Sequence, residues 1–306
     1  MSFFKCLVTI LWTVNLLTMG NSAQKTIDDK AIHSTKIASL RTGNGVQANG
    51  GKAFYINQVN IGNGAFSNKK ITTLTLGDRV KTIGKEAFIG NKITSLTMGN
   101  SVETIGDYAF YENKLTYLTL GDSVQTIGED AFDENLITSL YINMVNIGKS
   151  AFSHCPITNL TLGDSVKTIG KEAFYSNQIA SLTLGNSVET IGDRAFSHSK
   201  ITNLTMFNRV KTIGMEAFYS NQIASLTLGN SVETIGDRAF SHSKITSVTI
   251  PRSVTRIGID AFYSNGPNFC LSYLGTFLNG WDFAYPECPW TATEYPTMQP
   301  TESPTM

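Results

Sequence analysis

Ile71-Thr72-Thr73-Leu74-Thr75-Leu76-Gly77-Asp78-Arg79-Val80-Lys81-Thr82-Ile83-Gly84-Lys85-Glu86-Ala87-Phe88 is one unit of a pattern that recurs through most of the 306 residues. Ala-Phe returns at Phe66, Phe88, Phe110, Phe132, Phe152, Phe174, Phe196, Phe218, Phe240 and Phe262, each time preceded by Ile-Gly and two variable residues. The step is 22 residues throughout, except from Phe132 to Phe152, where it is 20. The apolar positions of one unit fit neither one long helix nor one long strand, so each unit is a coil of short segments. Leu74 and Leu76 alternate with Thr73 and Thr75, the period of a strand with leucines inward and threonines outward. Val80 and Ile83 supply a second apolar segment, and Gly77 and Gly84 permit the turns. A coil of this size cannot bury its Leu, Val, Ile and Phe alone. Neighbours must stack with their strands parallel, giving one continuous core.

The residue three after Phe is often Asn, at Asn91, Asn113, Asn135, Asn177, Asn221 and Asn265. An internal ladder of amides that satisfies loop backbone groups is expected there, with Cys155 filling the same slot as a small buried residue. The pattern L-x-L-x(3)-V-x(2)-I-G-x(2)-A-F-x(2)-N resembles the BspA-like class of leucine-rich repeats, and Ile250-Pro251-Arg252-Ser253-Val254 through Ile257-Gly258 carries the Pro common in that class. The resemblance implies a right-handed leucine-rich-repeat superhelix, rich in β structure with short helical or irregular turns. It also implies a surface or secreted protein of adhesion and recognition.

The expected organisation is a signal peptide over 1–23, an N-terminal cap with a Gly-rich loop over 24–54, and a solenoid of ten coils over 55–266. An aromatic C-terminal cap follows over 267–290, then a disordered Pro/Thr-rich tail over 291–306. Lys5 precedes an apolar run from Cys6 to Leu17, which Thr9, Thr13 and Asn15 interrupt and which is shorter than the roughly 20 residues a bilayer requires. The mature chain is therefore expected outside the cell or at its surface, without stable membrane insertion. Cys270 and Cys288 flank an aromatic stretch, and a disulfide between them is expected in an oxidising compartment.

Lys plus Arg equals Asp plus Glu at 24 each, so no field of one sign draws in nucleic acid. Residues 175–202 are identical to residues 219–246, so the duplicated unit is two coils, and charges alternate with it. Lys167, Glu189, Lys211 and Glu233 share one position of successive coils; Glu172, Arg194, Glu216, Arg238 and Asp260 share another. Stacking in register places opposite charges on adjacent coils.

Neither catalytic nor metal-binding residues are expected, nor a cofactor. No G-x-S-x-G, H-E-x-x-H, C-x-x-C, Walker A or EF-hand pattern occurs. His154, His198 and His242 share one slot but sit on alternate coils, roughly 10 Å apart, too far for one metal ion, so they read as solvated turn residues copied by duplication. The outward strand positions are mostly threonine, with Thr161, Thr183 and Thr205 in one file, and serine or asparagine in the file beside it. Three aromatics break this surface: Tyr117 and Tyr141 on adjacent coils, and Phe207 where the repeat normally has Gly. They mark the expected contact points for an extracellular protein or glycan, since aromatic anchors carry much of interface energy. The alternative is an ice-binding array that uses the Ser/Thr-x-Thr ladder itself. Asn159-Leu160-Thr161 and Asn203-Leu204-Thr205 are N-glycosylation sequons on the same sheet. Oligomeric state leaves no mark in the sequence.

Overall fold

The computed structural model describes residues 53–274 except Val145, together with the strand segments Thr26–Ile27, Arg41–Thr42 and Val46–Asn49. The leader, most of the N-terminal segment, the tail and Cys288 lie outside the described residues. The described residues form a parallel β-solenoid in which most coils have two short strands and one tight double turn. Among the described residues there is no helix, so the turns are of the irregular kind, and none is long and apolar enough to cross a membrane.

The leucine strands pair in the expected register, Phe54 beside Leu74 beside Leu96, and Leu140 beside Leu160 beside Leu182. Leu118 is buried between these two runs, so the leucines form one internal column. The longest uninterrupted sheet, however, is the other one. Eleven two-residue strands, from Thr26–Ile27 through Thr82–Ile83 and Thr168–Ile169 to Arg256–Ile257, pair parallel without a gap. The leucine strands instead fall into separate sheets, with breaks around Tyr117, between Ser181–Thr183 and Asn203–Thr205, and between Ser225–Thr227 and Ser247–Ile250. The second break has a steric cause. Glycines at this corner pack so closely that a Cβ on Gly185 would lie 2.2 Å from the Gly163 carbonyl oxygen. Phe207 brings a Cβ to that position of the next coil, so its strand cannot close onto its neighbour.

At the core the ten phenylalanines form one file. Every ring from Phe66 to Phe262 stacks on the next, with centroid separations of 5.1 to 5.6 Å. Phe54 closes one end edge-on and Phe269 continues the file at the other. The 20-residue step leaves the stack undisturbed, with Phe132 and Phe152 at 5.2 Å. The shortening is taken up at a corner, where Asn143 alone joins Ile142 to Met144 in place of Gly121-Asp122-Ser123. The Asn143 side chain then accepts a hydrogen bond from the Ser165 N–H of the next coil at 2.9 Å.

Two residues of each turn, two before and two after Phe, have positive φ; Glu172 and Ser176 at 57° and 54° are one such pair. The backbone reversals direct alternate N–H groups along the solenoid axis, so that Glu172, Phe174 and Ser176 donate to Asp193, Ala195 and Ser197 of the next coil. Inside the turn lies the amide ladder. The Nδ2 of Asn113 donates to the carbonyls of Phe88 and Phe110 at 3.0 and 3.1 Å, and its Oδ1 accepts from the Ile93 N–H at 3.1 Å. Cys155 occupies the same slot, buried, with its thiol 3.4 Å from the Phe132 carbonyl. Ser199 and Ser243 also occupy it, and their buried hydroxyl oxygens have no hydrogen-bond partner.

Pairing continues past residue 266, where Cys270–Tyr273 lies parallel to Ser247–Ile250. At the other end Arg41–Thr42, Val46–Asn49 and Ala53–Ile56 form an antiparallel meander on the first leucine strand.

Candidate binding face

The outward file of the leucine strands is as polar as the alternation requires. Thr161 pairs with Thr183 and Thr205 with Thr227, all exposed. Against this background Tyr117, Tyr141 and Phe207 are 70, 59 and 41% exposed, large apolar groups left in solvent on one wall. Tyr117 and Phe207 lie where the leucine sheet is interrupted, while Tyr141 is paired, beside Thr161. Asn159 and Asn203 are exposed on strands of the same wall, and each donates from its side-chain amide to the preceding threonine hydroxyl.

Charge alternation is realised as a continuous ladder on one column. Glu172, Arg194, Glu216, Arg238 and Asp260 form a continuous ion-pair ladder, with contacts of 3.6, 2.7, 3.9 and 3.8 Å. On the other column Lys81 meets Glu103 at 3.0 Å. Among the described residues no ion pair joins Lys167, Glu189, Lys211 and Glu233. Solvated side chains there gain too little from pairing to offset their lost freedom.

The histidines are exposed turn residues, as expected, but they are not isolated. His198 and His242 each fit between tyrosines of the adjacent coils, and His154 meets Tyr175 on one side and Asp133 on the other. The order His154, Tyr175, His198, Tyr219, His242, Tyr263 runs along one edge with ring centroids 5.0 to 5.7 Å apart. Reading the columns one at a time missed this. Tyr follows Phe by one residue and His by two, so the alternation emerges only when successive coils are superimposed. One cluster on this edge invites a catalytic reading, with Ser153 Oγ and Asp133 Oδ1 each 3.1 Å from His154 Nδ1. A relay needs the hydroxyl and the carboxylate on opposite ring nitrogens. Here both address the same one, so the cluster cannot activate the serine. Desolvation raises the Asp133 carboxyl above its ordinary range, while the His154 contact opposes it. The Cys155 thiol is pushed up to about 12 by burial, so it is no nucleophile. Among the described residues no three His, Cys, Asp or Glu side chains converge as a metal site.

Residues 59–177 and 145–267 match the profile of the BspA type leucine rich repeat region, in six copies. The chain belongs to that family. No curated protein sequence matches this BspA-type chain. Among solved structures, it is 18% identical to a leucine rich cell surface protein from Faecalibacterium prausnitzii, over 78% of this chain and 95% of that one, with a TM-score of 0.39. A leucine-rich repeat protein from Bacteroides ovatus is 16% identical over 84% of this chain and 94% of its own, with a TM-score of 0.35. The pneumococcal vaccine antigen PcpA is 18% identical over 66% of this chain and 65% of its own, with a TM-score of 0.32.

Proposed function

We propose that this BspA-type solenoid is a secreted or cell-surface recognition and adhesion module, without catalytic activity, that binds an extracellular protein or glycan on its leucine-strand wall. The observation that carries the reading is the exposure of Tyr117, Tyr141 and Phe207 on a wall built mostly of Thr, Ser and Asn, with Tyr55 less exposed at its N-terminal end beside Thr75. Thr161, Thr183 and Thr205 supply hydroxyls beside the anchors, and a glycan on Asn159 or Asn203 would crowd the same wall. Recognition concentrates energy in a few anchors. Tyr117→Ala, Tyr141→Ala or Phe207→Ala should each weaken binding of the captured ligand by more than about 1 kcal/mol where that residue is central, whereas one threonine matters little. A pull-down of the mature chain against extracellular-matrix and cell-wall material supplies the ligand, and titration calorimetry of the variants measures the loss.

The competing array reading makes the opposite demand, because ice binding needs an uninterrupted lattice match. Tyr141 stands within the threonine file, and the sheet is open between Ser181–Thr183 and Asn203–Thr205, which weighs against it. Thermal hysteresis that disappears in Thr183→Tyr and survives in Tyr117→Ala would establish the array instead.

The proposed division of the chain keeps a leader over 1–23, a cap over 24–54, the solenoid over 55–266, an aromatic cap over 267–290 and a tail over 291–306. Its redox corollary is a Cys270–Cys288 disulfide that ties the cap to the last strand. Non-reduced peptide mapping of the secreted protein should recover that link with Cys155 as a free thiol. A bridge to Cys155 would contradict the assignment.

A further inference from the structure

We infer that the turn edge from His154 to Tyr263 is a second binding site, for an extended acidic polysaccharide with one carboxylate in every second sugar. It lies on a different side of the coil from the leucine-strand wall. Tyr175, Tyr219 and Tyr263 alternate with His154, His198 and His242 as one unbroken row of rings. Two residues beyond His198 and His242 come Lys200 and Lys244, both exposed and, among the described residues, without an ion pair. On the tyrosine coils the corresponding residues are Gln178 and Gln222, also exposed.

The charged groups around this row are accounted for. Asp133 meets His154 at the N-terminal end, with Glu134 next to it. On the opposite flank of the turn, Glu172, Glu216 and Asp260 are held by Arg194 and Arg238. Residues 197–200, 219–222 and 241–244 contain neither Asp nor Glu. His198 faces Tyr175 and Tyr219; His242 faces Tyr219, Tyr263 and the Ser241 hydroxyl.

The period selects the ligand. The 175–202 segment is copied as 219–246, so this edge repeats every two coils, roughly 10 Å at 4.8 Å per coil. A ligand that exploits the repeat must itself repeat at a similar spacing. Two sugar units of an extended β-linked chain span a similar length. Sugar faces then lie against the tyrosines, hydroxyls meet the Gln amides, and each carboxylate meets a Lys–His pair. A nucleic-acid strand carries a phosphate about every 3.4 Å, far denser than this row of cations.

Calorimetry on the full mature chain with a hyaluronan decasaccharide tests the site, with a neutral chito-oligosaccharide of matched length as the control. The acidic sugar should bind about tenfold more tightly than the neutral one. Lys200→Gln with Lys244→Gln should abolish that preference. His198→Asn with His242→Asn should weaken acidic-sugar binding severalfold, asparagine being suited to the positive φ of both positions. Thermal unfolding verifies that both variants are folded. Equal binding of the two sugars, or an acidic-sugar preference that survives in the lysine variant, overturns the site. Tyr117→Ala should leave this binding unchanged while weakening the wall ligand, so failure of either surface is read separately.

Discussion

Phe174→Ala should unfold the solenoid locally and lower its stability by about 3–5 kcal/mol from lost burial and the cavity left behind. The ring is fully buried and stacks on Phe152 at 5.6 Å and Phe196 at 5.4 Å, so truncation removes two aromatic contacts as well. Each coil contacts only its neighbours, and stability is carried by successive interfaces. A defect in the middle therefore separates two arrays, each too short to hold its new end closed. Limited proteolysis should cut first near the substituted coil, and denaturation should lose its single transition. Phe66→Ala, in the first coil, should fray that end and leave the remaining coils cooperative. Equal effects at both positions would mean that the stack is not the element transmitting order along the axis.

Asn113→Ala should also destabilise the chain although it removes no large apolar group. Its amide serves the Ile93 N–H and the Phe88 and Phe110 carbonyls in the interior. The carbonyls keep Asn91 and Asn135 as donors, so truncation strands the Ile93 N–H alone. A loss of about 1–3 kcal/mol is expected. Asn113→Asp separates the roles, because it keeps the acceptor and removes both donors. The reverse experiment is Ser199→Asn. The serine hydroxyl is buried without a partner in a slot where six other coils place asparagine. Restoring the amide should stabilise the chain by about 1 kcal/mol, read as a rise in Tm. A fall would show that the serine coils have closed around the smaller side chain.

The repeat made the fold legible because its period, its leucine alternation and its glycines all specify the same coil, and ten copies average out local irregularity. The leucine column, the phenylalanine file and the amide ladder follow directly from position in the unit. Two features did not. The second sheet break depends on backbone clearance at the Gly163–Gly185 corner, which a sequence pattern does not express until coils are built against each other. The tyrosine–histidine row depends on side chains from adjacent coils that differ by one position in the unit, so neither column shows it alone. The proposed binding wall was legible as a contrast, since Tyr117, Tyr141 and Phe207 interrupt a mostly polar surface. Its ligand was not legible, because an anchor's presence does not encode its partner's shape.

The ion-pair ladder bears on how such a gene can change length. Loss of one coil between Glu172 and Glu216 would set the two carboxylates against each other, whereas loss of the two-coil unit joins Glu172 to Arg238 and restores an attraction already used elsewhere. Unequal recombination between the identical segments 175–202 and 219–246 yields that second product. Alleles should therefore differ by even numbers of coils, each exchange shortening or lengthening the molecule by roughly 10 Å while every remaining interface keeps a familiar neighbour. Reach thus becomes a heritable variable that evolves without trial of any new contact.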